Sequence, residues 1–352
     1  MWRKKALLYA FVGSLTLAIV IVESEAFLRS AGIKPWRTDD VAIKVSPGGK
    51  LFIKHPTLGY SHIAGEFTVT LGDGYSFNVT QLPDTLRITH PLDTYGGANH
   101  KKKIWIFGCS YTHGFSLNDE ETYPWLLQKR FPEYEVVNFG VSGYGTIHSL
   151  IQFREAFNVG PPPEIAVLAY ASFHDLRNTF LRTQRKRVAP WNKLGLLMQP
   201  YARLDGDGKL HFHMADVVYS EFSLMRRFAL AHFVEMEYDE YEEWRNRSHD
   251  VSKMLVKEMA QLAKEHGVRF IVAGISHLSE RGGPWGRVTA GDDTTTEMLH
   301  FLQKHGISSV DISVDERLEK YNNLPHNGHP NARANKEYAD KLESFLRAEI
   351  LK

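Results

Sequence analysis

The chain of 352 residues has one cysteine, Cys109, which excludes an intramolecular disulfide and any multi-cysteine zinc site. It has almost no excess charge. Its 42 Lys and Arg against 41 Asp and Glu leave a formal net charge of +1, which gives no reason to expect a nucleic-acid partner. Its 17 histidines include no His-x-x-x-His or His-Glu-x-x-His spacing, so no metal site is expected. The densest basic run, Arg182, Arg185, Lys186 and Arg187, reads as a solvated loop. What remains, 43% hydrophobic and 24% charged residues, is the composition of an ordinary globular protein with ample length for a core.

The amino terminus departs from that average. Met1-Trp2-Arg3-Lys4-Lys5 is basic and residues 6–22 form an uncharged apolar run. That run lies at the short limit of a membrane-spanning helix, roughly 17–25 residues, and exceeds a signal-peptide core of roughly 7–15. Ser24-Glu25-Ala26 fits a small-x-small cleavage pattern, but Glu23 and Glu25 crowd the site. Residues 1–30 are therefore read as an uncleaved signal anchor, with a cleaved signal peptide as the alternative. The leading cations put the N-terminus in the cytoplasm and the bulk of this single-pass chain in the periplasm or outside the cell, with the membrane as a partner through the helix.

Residues 31–102 lack helical periodicity and carry Gly48-Gly49, Gly72-Asp73-Gly74 and Gly96-Gly97 between short β-prone pieces. They read as a β-rich stalk or lid segment with a hairpin around residues 72–74. From residue 103 apolar runs recur at 104–107, 136–139, 165–169, 270–273 and 309–312. Helical patterns stand between most of them, including 123–130 with a proline near its first turn, 252–266 and 332–351. The alternation predicts an α/β domain over 103–352: a three-layer α/β/α sandwich on a central parallel sheet of about five strands. Residues 176–248 interrupt the alternation and read as an insertion that covers the substrate, with an aromatic-rich helix near 221–233 followed by an acidic run at 235–243.

Four stretches fall at the carboxyl edge of such a sheet, where α/β folds place ligands. Gly108-Cys109-Ser110-Tyr111-Thr112-His113-Gly114 follows the first strand and presents a hydroxyl, either as a nucleophile or as a helix cap. Asn138-Phe139-Gly140-Val141-Ser142-Gly143-Tyr144-Gly145-Thr146 offers a tight turn whose N–H groups can face a ligand oxygen. Tyr170-Ala171-Ser172-Phe173-His174-Asp175-Leu176-Arg177-Asn178 follows the third strand, and His326-Asn327-Gly328-His329-Pro330-Asn331-Ala332 opens the last helix. A histidine fixed before a proline-initiated helix is well placed as a general base.

In order and spacing these stretches resemble the SGNH (GDSL-type) hydrolase superfamily, and the apolar N-terminus resembles its membrane-anchored bacterial members. Gly108-Cys109-Ser110 stands for the Gly-Asp-Ser block, Gly143 for the oxyanion glycine, Ser172-Phe173-His174-Asp175 for Gly-x-Asn-Asp, and His329-Pro330-Asn331 for the terminal His-Pro-Asn. The resemblance implies an SGNH/flavodoxin-like fold and a cofactor-free serine esterase or acyl hydrolase. Ser110 would be its nucleophile and His329 its base, with an oxyanion hole of Ser110, Gly143 and His174. Its substrate would be an acyl ester, polysaccharide-linked by family analogy. Three positions depart from the pattern. Cys109 replaces an aspartate, His174 replaces the asparagine donor, and Asn327 stands two residues before His329 where an acid is usual. Asn327 is then the third catalytic candidate, and His326 stands where the acid could also lie. These departures also support an alternative reading, a weak or inactive domain serving as a binding or assembly subunit of a membrane complex. An O-acyltransferase variant is equally open.

Overall fold

The computed structural model describes residues 2–37, 43–92, 102–276 and 294–351; the expected turn at Gly96-Gly97 lies outside them. The chain divides into two compact units. One comprises Met1–Asp40, Tyr219–Glu242 and Ser279–Gly291, the other Val41–Val218, Glu243–Leu278 and Asp292–Lys352.

Helix α1 (Trp2–Ser30) belongs to the first unit and is long and apolar enough to cross a membrane. In the second unit the chain first forms five short antiparallel strands: β1 (Lys44–Ser46), β2 (Phe52–His55), β3 (Gly59–His62), β4 (Gly65–Thr70) and β5 (Ser76–Gln81). β4 and β5 are the hairpin expected around residues 72–74, closed by Leu71 N donating to Tyr75 O at 2.8 Å, with Asp73 Oδ1 accepting from Tyr75 N at 3.1 Å. Alternation puts Phe67, Val69, Phe77 and Val79 on one face, packed with Leu51 and Leu71.

Five parallel strands follow in the same unit: β6 (Lys102–Phe107), β7 (Tyr134–Asn138), β8 (Ile165–Ala171), β11 (Arg269–Ile275) and β12 (Ser308–Asp311). Two further strands, β9 (Met198–Leu204) and β10 (Leu210–Asp216), lie between β8 and β11 in sequence and, among the described residues, pair only with each other. The sheet order is β12-β11-β8-β6-β7, with every pair parallel. This is the flavodoxin-like order, and the sequence direction reverses between β6 and β8, the switch point at whose carboxyl ends such folds bind ligands. Strand β8 is buried along its whole length. Val167 and Ala169 enter one core with Ile104 and Ile106, while Leu168 and Tyr170 enter the other with Trp105 and Phe107.

Helices cover both faces. On the first lie α2 (Ser110–His113) and α3 (Tyr123–Arg130) with the C-terminal helix, through Tyr111, Tyr123, Leu127, Tyr338 and Leu342. On the second lies α4 (Thr146–Ala156) with two later helices, through Ile147, Leu150, Leu255, Met259 and Leu302. The three-layer sandwich expected from the sequence is therefore present. Two shorter helices follow β8: α5 (His174–Asn178) and α6 (Arg182–Val188).

Within residues 176–248 the structure differs from expectation at three places. The basic run is helix α6 rather than a loop, because Arg and Lys are good helix formers and Gln184 and Val188 turn inward. The Asp205–Gly208 turn joins an antiparallel ribbon, β9–β10, that the sequence reading did not include. The helix expected near 221–233 is α7 (Ala229–Arg245), which takes in most of the acidic run. Its start is set from far away: the Glu25 carboxylate accepts from Ala229 N at 3.0 Å and Leu230 N at 2.8 Å, satisfying donors of the first turn. Glu25 also pairs with Arg29 at 2.6 Å, and Arg29 Nη2 donates to Arg227 O at 3.0 Å. Below this cap α1 ends in a Schellman motif at Gly32 (φ 90°), where Ile33 N donates to Leu28 O at 3.0 Å and Gly32 N to Arg29 O at 3.1 Å. Leu28, Ile33 and Ala229 form the buried centre of this unit. The helices α8 (Ser248–Glu265) and α10 (Ala332–Ile350) follow the patterns read at 252–266 and 332–351, and α9 (Thr294–Lys304) stands between the last two strands.

Candidate active site

The chain leaves β6 through Gly108, which a Cβ could not occupy because Thr112 lies across it, and turns into α2 with Cys109 as cap and Ser110 as first residue. Cys109 is a buried member of the first core. Ser110 is 6% exposed. Its Oγ lies 3.2 Å from His329 Nε2. His329 Nδ1 lies 3.1 Å from Asn327 Oδ1. Asn327 Oδ1 also accepts from His329 N at 2.9 Å and from Ser116 Oγ at 3.2 Å. A backbone N–H can only donate, so the Asn327 atom facing His329 is the oxygen. It follows that His329 Nδ1 carries the proton and Nε2 offers its lone pair to the Ser110 hydroxyl. The ring is held between Phe115, with centroids 4.9 Å apart, and Tyr111, at 5.9 Å.

The turn after β7 lies next to this group. Asn138 Nδ2 donates to Thr112 O at 3.0 Å and Asn138 Oδ1 accepts from Gly140 N at 2.9 Å, tying the turn to α2. Gly143 has φ 86°, and a Cβ there would run into the Tyr60 hydroxyl. Tyr60 in turn donates to Ser142 O at 2.7 Å and accepts at its backbone O from the Tyr144 hydroxyl. Among the described residues neither Ser110 N nor Gly143 N is given to a protein acceptor.

His174 opens α5 and is fully buried. Burial first, then the nearby Arg177 and His148, push its pKa well below the usual value, so the ring is neutral. Its Nδ1 lies 3.4 Å from Thr146 Oγ1, and its Nε2 has no partner among the described residues. Asp175 faces away from this group, accepting from Tyr170 OH at 2.6 Å and meeting His249 Nδ1 at 3.0 Å. His326 does not reach His329; its Nδ1 meets Asp73 Oδ2 at 2.6 Å. No cluster of three or more His, Cys, Asp or Glu side chains suited to a metal occurs among the described residues.

The structure thus brings Ser110, His329 and Asn327 together. It also draws in three residues that no sequence reading singled out: Tyr60, Ser116 and Arg87. Arg87 is fully buried and donates to His113 O (2.7 Å), Gly114 O (2.6 Å), Leu117 O (2.7 Å) and Asn78 O (3.1 Å), with its charge met by Asp119 at 2.9 Å. It thereby fixes the loop that follows the serine. An arginine in a stretch of Gly-rich β segment carries no local signal for such a role.

No protein-family model matches the chain, and no curated protein is similar to it in sequence. Solved structures are similar at low identity. The psychrotrophic esterase EstA from Pseudoalteromonas sp. is 10% identical with a TM-score of 0.44, over 72% of this chain and all of the other. TesA is 13% identical with a TM-score of 0.42, over 70% of this chain and 99% of the other. A carbohydrate acetylesterase family member from Sinorhizobium meliloti is 11% identical with a TM-score of 0.38, over 70% of this chain and 98% of the other.

Proposed function

We propose that the protein is an SGNH-type serine esterase or acyl hydrolase, anchored in a membrane by α1 with its larger unit on the extracytoplasmic side. The observation that carries the reading is the ordered line Ser110 Oγ, His329 and Asn327, with contacts of 3.2 and 3.1 Å and the imidazole tautomer set for proton abstraction. Ser110 Oγ attacks the ester carbonyl while its proton passes to His329 Nε2. The oxyanion is met by Ser110 N and Gly143 N. In this reading His174 Nδ1, 3.4 Å from Thr146 Oγ1, accepts from that hydroxyl, so the proton would stand on the unpartnered Nε2, which would supply a third, neutral donor. His329 returns its proton to the departing alcohol, leaving an acyl-serine. Water then attacks the acyl-serine carbonyl as His329 takes its proton, and the proton passes back to Ser110 as the acid leaves. A sugar hydroxyl in place of that water would make the protein an O-acyltransferase. The proposed chemistry needs no cofactor, and an acylated envelope glycan is the substrate class we favour.

Hydrolysis of a small acetyl ester by the full-length protein in detergent tests this. Ser110→Ala and His329→Ala are expected to lower kcat by about 10⁴-fold or more, and His174→Ala by about 10²-fold. Activity that survives Ser110→Ala overturns the assignment. One observation favours a second reading, a weak or inactive binding subunit: an amide rather than a carboxylate receives His329 Nδ1. Absence of both ester turnover and covalent labelling of Ser110 by an ethylphosphonate would select it.

A further inference from the structure

Three donors converge on Asn327 Oδ1, but Asn327 Nδ2 is buried with no partner among the described residues. Nothing on the nitrogen side therefore holds the amide in its orientation. A flip by 180° would set Nδ2 against two N–H donors of His329, and the ring would then have to move its proton to Nε2, the wrong nitrogen for accepting from Ser110. The donor that comes from outside the histidine itself is the Ser116 hydroxyl, at 3.2 Å.

Ser116 is fully buried and holds a left-handed backbone, φ 66°, which is strained for a non-glycine residue. Its neighbours maintain that conformation. Tyr75 OH donates to Ser116 O at 3.0 Å, Asn323 Nδ2 reaches the same oxygen at 3.4 Å, and Arg87 grips Gly114 O and Leu117 O on either side. The Tyr75 ring also stacks on His326, with centroids 4.3 Å apart and planes at 19°, and Asp73 pairs with His326 at 2.6 Å. The tip of the β4–β5 hairpin thus holds both the Ser116 loop and the loop that carries Asn327 and His329.

We infer that Ser116 is a positioning residue of the site: its hydroxyl, added to the His329 backbone N–H, locks the Asn327 amide, and through it the tautomer of His329, with Tyr75 of the hairpin holding Ser116 in place. This rests on the serine-hydrolase reading. Ser116→Gly is the clean variant, because glycine accepts the left-handed backbone and removes only the hydroxymethyl group. In the wild-type background it should lower kcat about tenfold with KM within about twofold, the loss expected when part of the population carries the wrong tautomer. A carboxylate has two equivalent oxygens and nothing to flip. In an Asn327→Asp background the same change should therefore cost less than about twofold. Tyr75→Phe, which keeps the stack on His326, should act like a weaker Ser116→Gly. Equal losses in both backgrounds, or no loss in either, would overturn the inference, since a purely structural role would not distinguish Asn from Asp.

A second measurement separates this failure from failure of the enzyme reading. In ¹⁵N-histidine spectra of the full-length protein, the His329 signals, assigned by their loss in His329→Ala, should report protonation at Nδ1 in the wild type and a mixed tautomer in Ser116→Gly. An inactive wild type that still shows this change would sink the hydrolase reading and keep the positioning role. Unchanged spectra would sink the positioning role whatever the activity.

Discussion

His62 is a buried imidazole with neither ring nitrogen hydrogen-bonded among the described residues. It is stacked on His113 with centroids 4.4 Å apart and lies beside Phe52 at 4.9 Å. Burial, then the Arg87 charge, push its pKa down to about 3, with the Thr85 backbone opposing only weakly. His113 is shifted the same way, by burial first and then by His62, Arg87 and His329. The fold therefore holds both rings neutral, whereas the unfolded chain takes up protons near pH about 6.5. Stability from this pair is complete above that value and drains as pH falls below about 6.5, for His62 towards about 3, because only the unfolded state gains the protons. Replacing His62 by phenylalanine keeps the stacked ring and removes two desolvated nitrogens. His62→Phe should be at least as stable as wild type at pH 7 and lose fewer degrees of melting temperature between pH 7 and pH 5. An unaltered acid slope in thermal melts would show that the acid loss arises elsewhere.

At the level of elements, the turn after β7 shows how β3 enters the site. Gly143 is held at φ 86° with the Tyr60 hydroxyl where its Cβ would stand, and that hydroxyl is bonded to Ser142 O. Gly143→Ala should push the turn away from Ser110 and lower kcat by about 10²-fold if the Gly143 N–H serves the oxyanion. Removing the obstructing oxygen as well, in Tyr60→Phe/Gly143→Ala, should recover about tenfold, the remainder reflecting backbone strain at a positive φ. No recovery in the double variant would mean that the clash is not the cause. The same example explains what the sequence could and could not disclose. The five parallel strands and α3 are legible because a buried strand is a short continuous apolar run and a proline marks a helix's first turn. The four site stretches are legible as strand ends and a helix start. Tyr60, Arg87 and Ser116 are not, because they act across 82, 26 and 211 residues of separation and leave no local pattern. The start of α7 is hidden for the same reason, since its capping carboxylate lies 204 residues away.

For the whole molecule, the division into units separates the two parts of the proposed function. Every candidate site residue falls in the larger unit, while the apolar helix falls in the smaller one together with residues 219–242. Glu25, which caps the start of α7, lies within Ser24-Glu25-Ala26, so cleavage after Ala26 would remove that cap while leaving the buried Leu28, Ile33 and Ala229 in place. With α1 spanning a bilayer as proposed, the 1.5 Å rise per residue would set Glu25 and Arg29 about 4.5 and 10 Å beyond the apolar run that ends at Val22, across the depth of a headgroup layer about 5–8 Å thick. The chain they hold, around Arg227 to Leu230, carries exposed Phe228, exposed Leu224 stands just before it in sequence, and α1 carries exposed Phe27. Apolar side chains at that depth belong in the interface. The single native cysteine is buried, so fluorescent labels on Leu224→Cys or Phe228→Cys report those positions alone. In vesicles containing the full-length protein, these labels should be quenched most by a nitroxide on the lipid headgroup, and a label on Leu15→Cys most by a nitroxide deep in the acyl chain. Labels at 224 and 228 quenched only by aqueous iodide, with the Leu15 label still quenched from the acyl chain, would leave α1 as a simple tether. A Leu15 label that no lipid quencher reaches would remove the anchor altogether.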